Sequence, residues 1–353
     1  MNRPAPRDDL SALEGYHSPQ VTVDVRLNTN ESPYPVPDAF RDALASELSR
    51  VEWHRYPDRA ATALRDDLAK GMGVDPAQVF VANGSNEVLQ TLCLAYGGHG
   101  RTAVDFQPTY LMYGQIAEIA GMAMHHGRRA PDFSLDMDEV RAVLRDHAPA
   151  ITFLCSPNNP TGMVEPPDVL TEAVELAPGV VVVDEAYGQF ADWSALGLVD
   201  EDRPLVVTRT YSKTWSMAAA RLGYLVGPSW LVEELEKVVL PYHLDTLKQV
   251  AGRVALRFEA EMEERVAHLV SERERLVAAL ADLPVEQWPS GANFILFRPT
   301  GKPGREVWQG LLDRSVLVRD TSSWPGLDGC LRVTVGTPAE DDAFLTALRE
   351  VLA

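Results

Sequence analysis

Apolar positions follow two different rhythms along the chain. Between about residues 60 and 227, short and nearly continuous apolar runs alternate with stretches whose apolar positions recur at helical spacing. The runs are QVFVAN (78–83), TAVDF (102–106), ITFLCS (151–156), GVVVVDE (179–185), LVVTRT (205–210) and LGYLVG (222–227). Runs such as Val180 to Val183 have no polar face, so they predict strands buried on both sides, as in a mostly parallel sheet covered by helices. In EVLQTLCLAY (87–96), Val88, Leu89, Leu92, Cys93 and Tyr96 share one helical face. Strands alternating with helices predict an α/β layer.

The rhythm changes after residue 228. Residues 229–240 and 242–283 read as charged amphipathic helices interrupted at Pro241. Short strands are expected at 292–297, 315–320 and 330–337, then a last helix at 338–352. Upstream, a helix is expected over 38–50, broken by WHRYPD (53–58). The Pro- and Asn-rich first segment has apolar anchors at Tyr16, Val21, Val23, Val25 and Leu27, which suit an ordered arm. Three segments follow: 1–50 as arm and part of a small domain, 51–240 as a large domain, and 241–353 as the C-terminal small domain.

Composition narrows the function. The chain has 353 residues, with 51 Asp and Glu against 32 Lys and Arg, a net charge of −19. So acidic a chain has no bulk field for nucleic acid or an anionic membrane. Any anionic ligand needs a local cluster of arginine, lysine or backbone N–H groups. Cys93, Cys155 and Cys330 are too scattered for a disulfide framework or a zinc site. Free thiols in a reducing cytoplasm are expected. No apolar run approaches the roughly 20 residues of a membrane span. His125 and His126 read as a surface pair at a strand edge, and no metal site is expected.

Four motifs at strand ends carry the candidate chemistry. Gly84–Glu87 (GSNE) follows a strand and opens a helix, where N–H groups and the helix dipole favour phosphate. Ser85 is placed to cap that helix and Glu87 to fold back on its first turn. Ser156–Gly162 (SPNNPTG) is a stiff loop offering the amides of Asn158 and Asn159. Asp184, in DEAY, closes the most apolar run and needs a partner, either an arginine or a heterocyclic N–H⁺. Lys213, in TYSKTW, is followed eight residues later by Arg221, which can clamp a phosphate. A desolvated lysine beside other cations loses basicity and becomes a nucleophile. Together the four describe a pocket for pyridoxal 5′-phosphate. Signatures of serine hydrolases, P-loop enzymes, nicotinamide dehydrogenases and zinc proteases are absent from the sequence.

With those motifs in this order, the chain resembles the fold-type I pyridoxal-phosphate aminotransferases of class II. More narrowly it resembles the histidinol-phosphate aminotransferase family. GYHSPQ, LNTNESPYP, RYP, GSNE, PTY, SPNNPTG, DEAY, SK with Arg221, VRD and LRVTVGT carry the likeness over almost the whole length. The resemblance implies a large domain with a mostly parallel seven-stranded sheet beside a smaller α+β domain, and a homodimer with shared sites. It implies that Lys213 bonds to the cofactor aldehyde and later moves the proton at the substrate Cα. Asp184 would keep the pyridine nitrogen protonated, Asn159 and Tyr187 would bond the ring oxygen, and Tyr110 would stack on the ring. Ser85, Asn86, Ser212 and Arg221 would hold the cofactor phosphate, with Tyr56 reaching in from a partner subunit. Arg319 and Arg332 would take the anionic end of the substrate, and Tyr16 and Asn30 would line the mouth.

The implied reaction is amino transfer between histidinol phosphate and 2-oxoglutarate, giving imidazole acetol phosphate and glutamate. An aromatic aminotransferase or a threonine-phosphate decarboxylase shares the scaffold. Ala219-Ala220, where Gly-Leu is usual, Ser32, where Asn is frequent, and Trp324-Pro325-Gly326 depart from the family pattern. Only the last stands where it could affect substrate choice.

Overall fold

The computed structural model describes residues 4, 5, 7–10, 15 and 21–353. Tyr16 lies outside the described residues. Among the described residues the strands are β1 (Val25–Leu27), β2 (Val79–Ala82), β3 (Thr102–Gln107), β4 (Ala123–Arg128), β5 (Ile151–Cys155), β6 (Val180–Asp184), β7 (Leu205–Thr210), β8 (Gly223–Val226), β9 (Val285–Gln287), β10 (Phe294–Pro299), β11 (Val316–Asp320) and β12 (Leu331–Thr334). The first helices are α1 (Asp38–Leu48), α2 (Thr62–Met72), α3 (Ser85–Tyr96) and α4 (Met112–Ile119). The others are α5 (Met137–His147), α6 (Pro167–Leu176), α7 (Ser229–Val238), α8 (Thr246–Leu256), α9 (Glu259–Ala281), α10 (Gly304–Leu312) and α11 (Pro338–Leu352).

Seven strands form one sheet in the order β2-β8-β7-β6-β5-β3-β4. The pairs from β7 through β4 are parallel, and β8 runs antiparallel to both its neighbours. Every residue of β5 and β6 is buried. Apolar clusters cover both faces: α3, α4 and α7 contribute to one, α5 and α6 to the other. The predicted α/β layer is therefore present. The seventh strand, β4, has no counterpart among the apolar runs. It is an edge strand, AMHHGR, with only Gly127 buried, so it lacks the two-sided apolar signal of the inner strands.

The second sheet has the order β1-β11-β12-β10-β9. β1 pairs parallel with β11, and the remaining pairs are antiparallel. The N-terminal segment thus enters this sheet through three residues. α9, α10 and α11 pack against it around Phe294, Phe297, Leu311 and Phe344. The continuous helix expected over 242–283 is instead two helices, α8 and α9, separated by Arg257–Phe258. Phe258 packs edge-on against Phe40 of α1, with ring centres 6.0 Å apart. Tertiary packing of that ring accompanies a break that the charged, amphipathic pattern did not signal.

Candidate active site

The parallel strands deliver their carboxyl ends to one side of the large sheet, where a cavity of about 790 Å³ opens. Lys213, Asp184, Tyr187, Asn159, Tyr110, Ser85, Asn86, Ser212, Arg221, Asn30, Arg319 and Arg332 all line it. Of the other residues singled out, Tyr16 is not described and Tyr56 lies elsewhere on the surface.

One wall is a cradle of donors. Gly84, at φ 87°, is the residue before α3, and Ser85 is the first residue inside the helix. The expected Ser85 cap is not made: no side-chain bond caps this helix. Ser85 stands one position too far along the helix, while Glu87 accepts from the Asn83 backbone N–H and side-chain amide. A Cβ on Gly84 would come 2.9 Å from Nη2 of Arg221, and one on Gly223 would come 2.4 Å from the Ser85 nitrogen. Glycine at both positions lets the helix N-terminus, β8 and the guanidinium converge. Arg221 donates to Ser212 Oγ at 3.2 Å, and Ser212 accepts from Thr210 Oγ1 at 3.0 Å. Ala218–Ala220, where the family pattern departs, forms a single 3-10 turn, and Arg221 follows it in the left-handed region at φ 49°.

The centre of the cavity sets two carboxylates apart. Glu185 takes the arginine: Arg209 reaches it at 2.8 and 3.1 Å, with further donors from Ser194 and Ala195 N. Asp184, 3% exposed, receives only neutral donors. They are Tyr113 Oη at 2.8 Å, Ala186 N at 3.0 Å and Thr208 Oγ1 at 3.2 Å. Burial raises its pKa, and those bonds oppose the rise. Of the two partners open to Asp184, an arginine is thus ruled out, and a ring cation fits.

Lys213 Nζ donates to the Thr29 carbonyl at 3.0 Å and stands 5.7 Å from the Tyr187 ring centre. Burial first, then the charges of Arg332 and Arg221, push its pKa down to about 7. Its amine is therefore substantially neutral near pH 7, as a nucleophile must be. Tyr187 accepts from Asn30 Nδ2 at 2.9 Å, and burial holds its phenol up at about 12. Asn30 is 1% exposed and sits at φ 54°. Thr334 Oγ1 and Asn293 also bind it, so its amide serves Tyr187.

The opposite wall comes from the small sheet. Arg319 and Arg332 are directly opposed across β11 and β12. Like charges at such a pair repel, and an anion bound between them would ease that repulsion. Arg332 is 5% exposed, bonds Asn159 Oδ1 through one Nη and donates to the Asn28 carbonyl at 3.1 Å through the other. Asn28 and Thr29 belong to a quoted motif, yet their carbonyl contacts carry no residue-type signal. Tyr113 was missed too, because in sequence it reads as one more apolar helix position.

The fit to pyridoxal 5′-phosphate is good on the chemistry of the donors. The glycine-lined cradle suits a phosphate dianion, Asp184 suits a protonated ring nitrogen, and Lys213 suits an aldehyde. A fold of this type with a buried lysine of lowered pKa, a buried acid without a cationic partner and a glycine-lined cradle of donors at its strand ends fits a pyridoxal-phosphate-dependent transferase. The model of the family "Aminotransferase class I and II" matches residues 22–348, and the chain belongs to that family, whose cofactor is pyridoxal phosphate.

Among curated relatives, histidinol-phosphate aminotransferases of Frankia casuarinae and Nocardia farcinica are 46% and 45% identical. The alignments cover 98% of this chain and 90% and 91% of theirs. The solved histidinol-phosphate aminotransferase from Sinorhizobium meliloti, in complex with pyridoxal-5′-phosphate, superposes with a TM-score of 0.89 at 21% identity. That superposition covers 100% of this chain and 98% of the other and shows the shared fold.

Proposed function

We propose that this aminotransferase moves an amino group between histidinol phosphate and 2-oxoglutarate, giving imidazole acetol phosphate and glutamate, a step of histidine biosynthesis. One observation carries the reading: a single cavity holds the Lys213–Asp184 pair on one wall and the opposed Arg319–Arg332 pair on the other. The near-full-length relatives named for this activity support it.

Bound pyridoxal phosphate supplies an aldehyde carbon and a ring that accepts the electron pair left when the substrate Cα loses its proton. The chain's own residues do the rest. Lys213 Nζ, neutral over much of its population near pH 7, would take the Cα proton and deliver it to the carbon that the cofactor aldehyde supplies. Asp184 would hold a proton on the ring nitrogen. Tyr187 and Asn159 would bond the ring oxygen, and Tyr110 would cover the ring face. Ser85, Asn86, Ser212 and Arg221 would hold the phosphate. Arg319 and Arg332 bind the phosphate ester of one substrate and a carboxylate of the other, since a guanidinium fork suits both.

The chain acts as a homodimer with shared sites. Tyr56 is 81% exposed and stacks on Tyr242 at 4.6 Å, with Trp53 and Leu240 also exposed. So many large apolar side chains outside a core suit burial by a second copy, which would carry Tyr56 to the partner's cofactor phosphate. No described helix is long and apolar enough to cross a membrane, and the three buried free cysteines suit a reducing cytoplasm.

The test is turnover with glutamate. Imidazole acetol phosphate should react far faster than phenylpyruvate; equal rates favour an aromatic aminotransferase, and carbon dioxide release from threonine phosphate favours the decarboxylase. Sharing is tested by mixing Tyr56→Phe subunits with Lys213→Ala subunits and looking for partial recovery of activity.

A further inference from the structure

Asp184 faces a problem that its own strand does not solve. A carboxylate this buried loses most of its hydration and stays charged only if donors replace the water. The nearby arginine is committed to Glu185. Oδ1 is served locally, by Ala186 N from the same loop and by Thr208 from the adjacent strand. Oδ2 receives the Tyr113 hydroxyl at 2.8 Å, from α4. Tyr113 is fully buried. Its ring lies flat on Phe153, with centres 4.7 Å apart and planes 3° apart, and edge-on to Tyr110 at 5.4 Å. The hydroxyl therefore cannot swing away without moving two other rings.

We propose that Tyr113 is a positioning residue of the site, whose hydroxyl orients Asp184 and holds it in its charged form toward the ring nitrogen of the cofactor. The inference rests on the proposed pyridoxal-phosphate reading of the cavity. Tyr113 itself does not line that cavity, so it acts through Asp184 alone. The other groups around the carboxylate cannot substitute. Cys155 is a thiol held neutral by burial, with its pKa up at about 12, and Glu185 repels a second charge. Tyr113 remains protonated, because burial and the Asp184 charge both raise its pKa well above the ordinary value. It is thus a permanent donor. Tyr110, on the same packed group of rings, faces the cavity, so one aromatic cluster supports both the face and the nitrogen side of the ring.

Tyr113→Phe removes one oxygen and retains the ring stack. With ¹⁵N-labelled pyridoxal phosphate bound, the ring-nitrogen signal of this variant should move toward that of unprotonated pyridine. The cofactor dissociation constant should rise about ten- to a hundredfold, the range of one hydrogen bond to a charged group. Site-specific 3-fluorotyrosine at 113, a stronger donor of nearly the same shape, should move the nitrogen signal the other way and keeps the test usable if the phenylalanine variant does not fold. Phe153→Leu disturbs the ring packing but keeps the hydroxyl, and should leave the nitrogen protonated. A wild-type signal in both Tyr113 variants overturns the inference. Failure of the unaltered protein to bind pyridoxal phosphate would instead overturn the reading of the cavity.

Discussion

The two walls of the cavity are built in different ways. On the parallel-sheet wall, Asp184 closes β6, while Ser212 and Lys213 follow β7 and Gly84–Asn86 follow β2 within a few residues. On the small-sheet wall, Arg319 and Arg332 meet only because β11 and β12 pair in one register. Arg332 is then aimed by Asn28 and Asn159, which are far away in sequence. The residues of the first wall are placed by their own strands, although Lys213 and Asp184 also bond Thr29 and Tyr113 from elsewhere in the chain. The second is a long-range assembly, in which a one-residue slip would turn an arginine to the other face. On the proposed reading, chemistry sits on the local wall and anion recognition on the assembled one.

The largest effect should come from the local wall. Lys213→Ala is expected to lower the transamination rate by at least about 10³-fold and to abolish the yellow absorbance of covalently held cofactor, checked by steady-state assay and absorbance spectroscopy. A yellow, active variant would refute the division between the walls.

Glu185→Gln separates structure from chemistry on that same wall. It leaves Arg209 buried without its carboxylate, so a loss of about 3–5 kcal/mol is expected in chemical denaturation. An unchanged midpoint would mean that the Glu185–Arg209 pair does not carry the strand end.

On the assembled wall, Arg332→Lys keeps the charge and loses the fork held by Asn159 and Asn28. KM for both substrates should rise about ten- to a hundredfold, with a smaller change in kcat. A fall confined to kcat would move Arg332 to the chemical side of the comparison.

The smallest effects are opposite pH slopes in the cofactor-free protein. Lys213 has its pKa lowered from 10.5 to about 7. Between those values the unfolded chain holds a proton that the folded chain lacks, so stability contributed here rises with pH. The carboxyl of Asp341, on α11 behind the small sheet, is raised above the usual carboxylate range by burial and by the charge of Glu272. Above the ordinary carboxylate pKa the folded chain holds the extra proton, so its contribution falls as pH rises. Lys213→Met and Asp341→Asn should each remove one slope when denaturation midpoints are followed from pH 5 to about 10. A variant that leaves its slope intact sinks the corresponding assignment.

What the sequence determined by itself was everything that depends on neighbours along the chain. Continuous apolar runs specified the inner strands of the parallel sheet, because burial on both faces leaves no place for polar residues. Turn residues and helix starts after those runs marked the phosphate cradle, Asp184 and Lys213. Residue type alone could not reveal β4, whose edge position tolerates AMHHGR, nor the break at Phe258. Nor could it say that Glu185 would take Arg209 and leave Asp184 to neutral donors, or that Tyr113 would point its hydroxyl inward. Those outcomes depend on which side chains meet across strands and layers. Packing geometry decides that, and packing is set by the whole chain closing on itself.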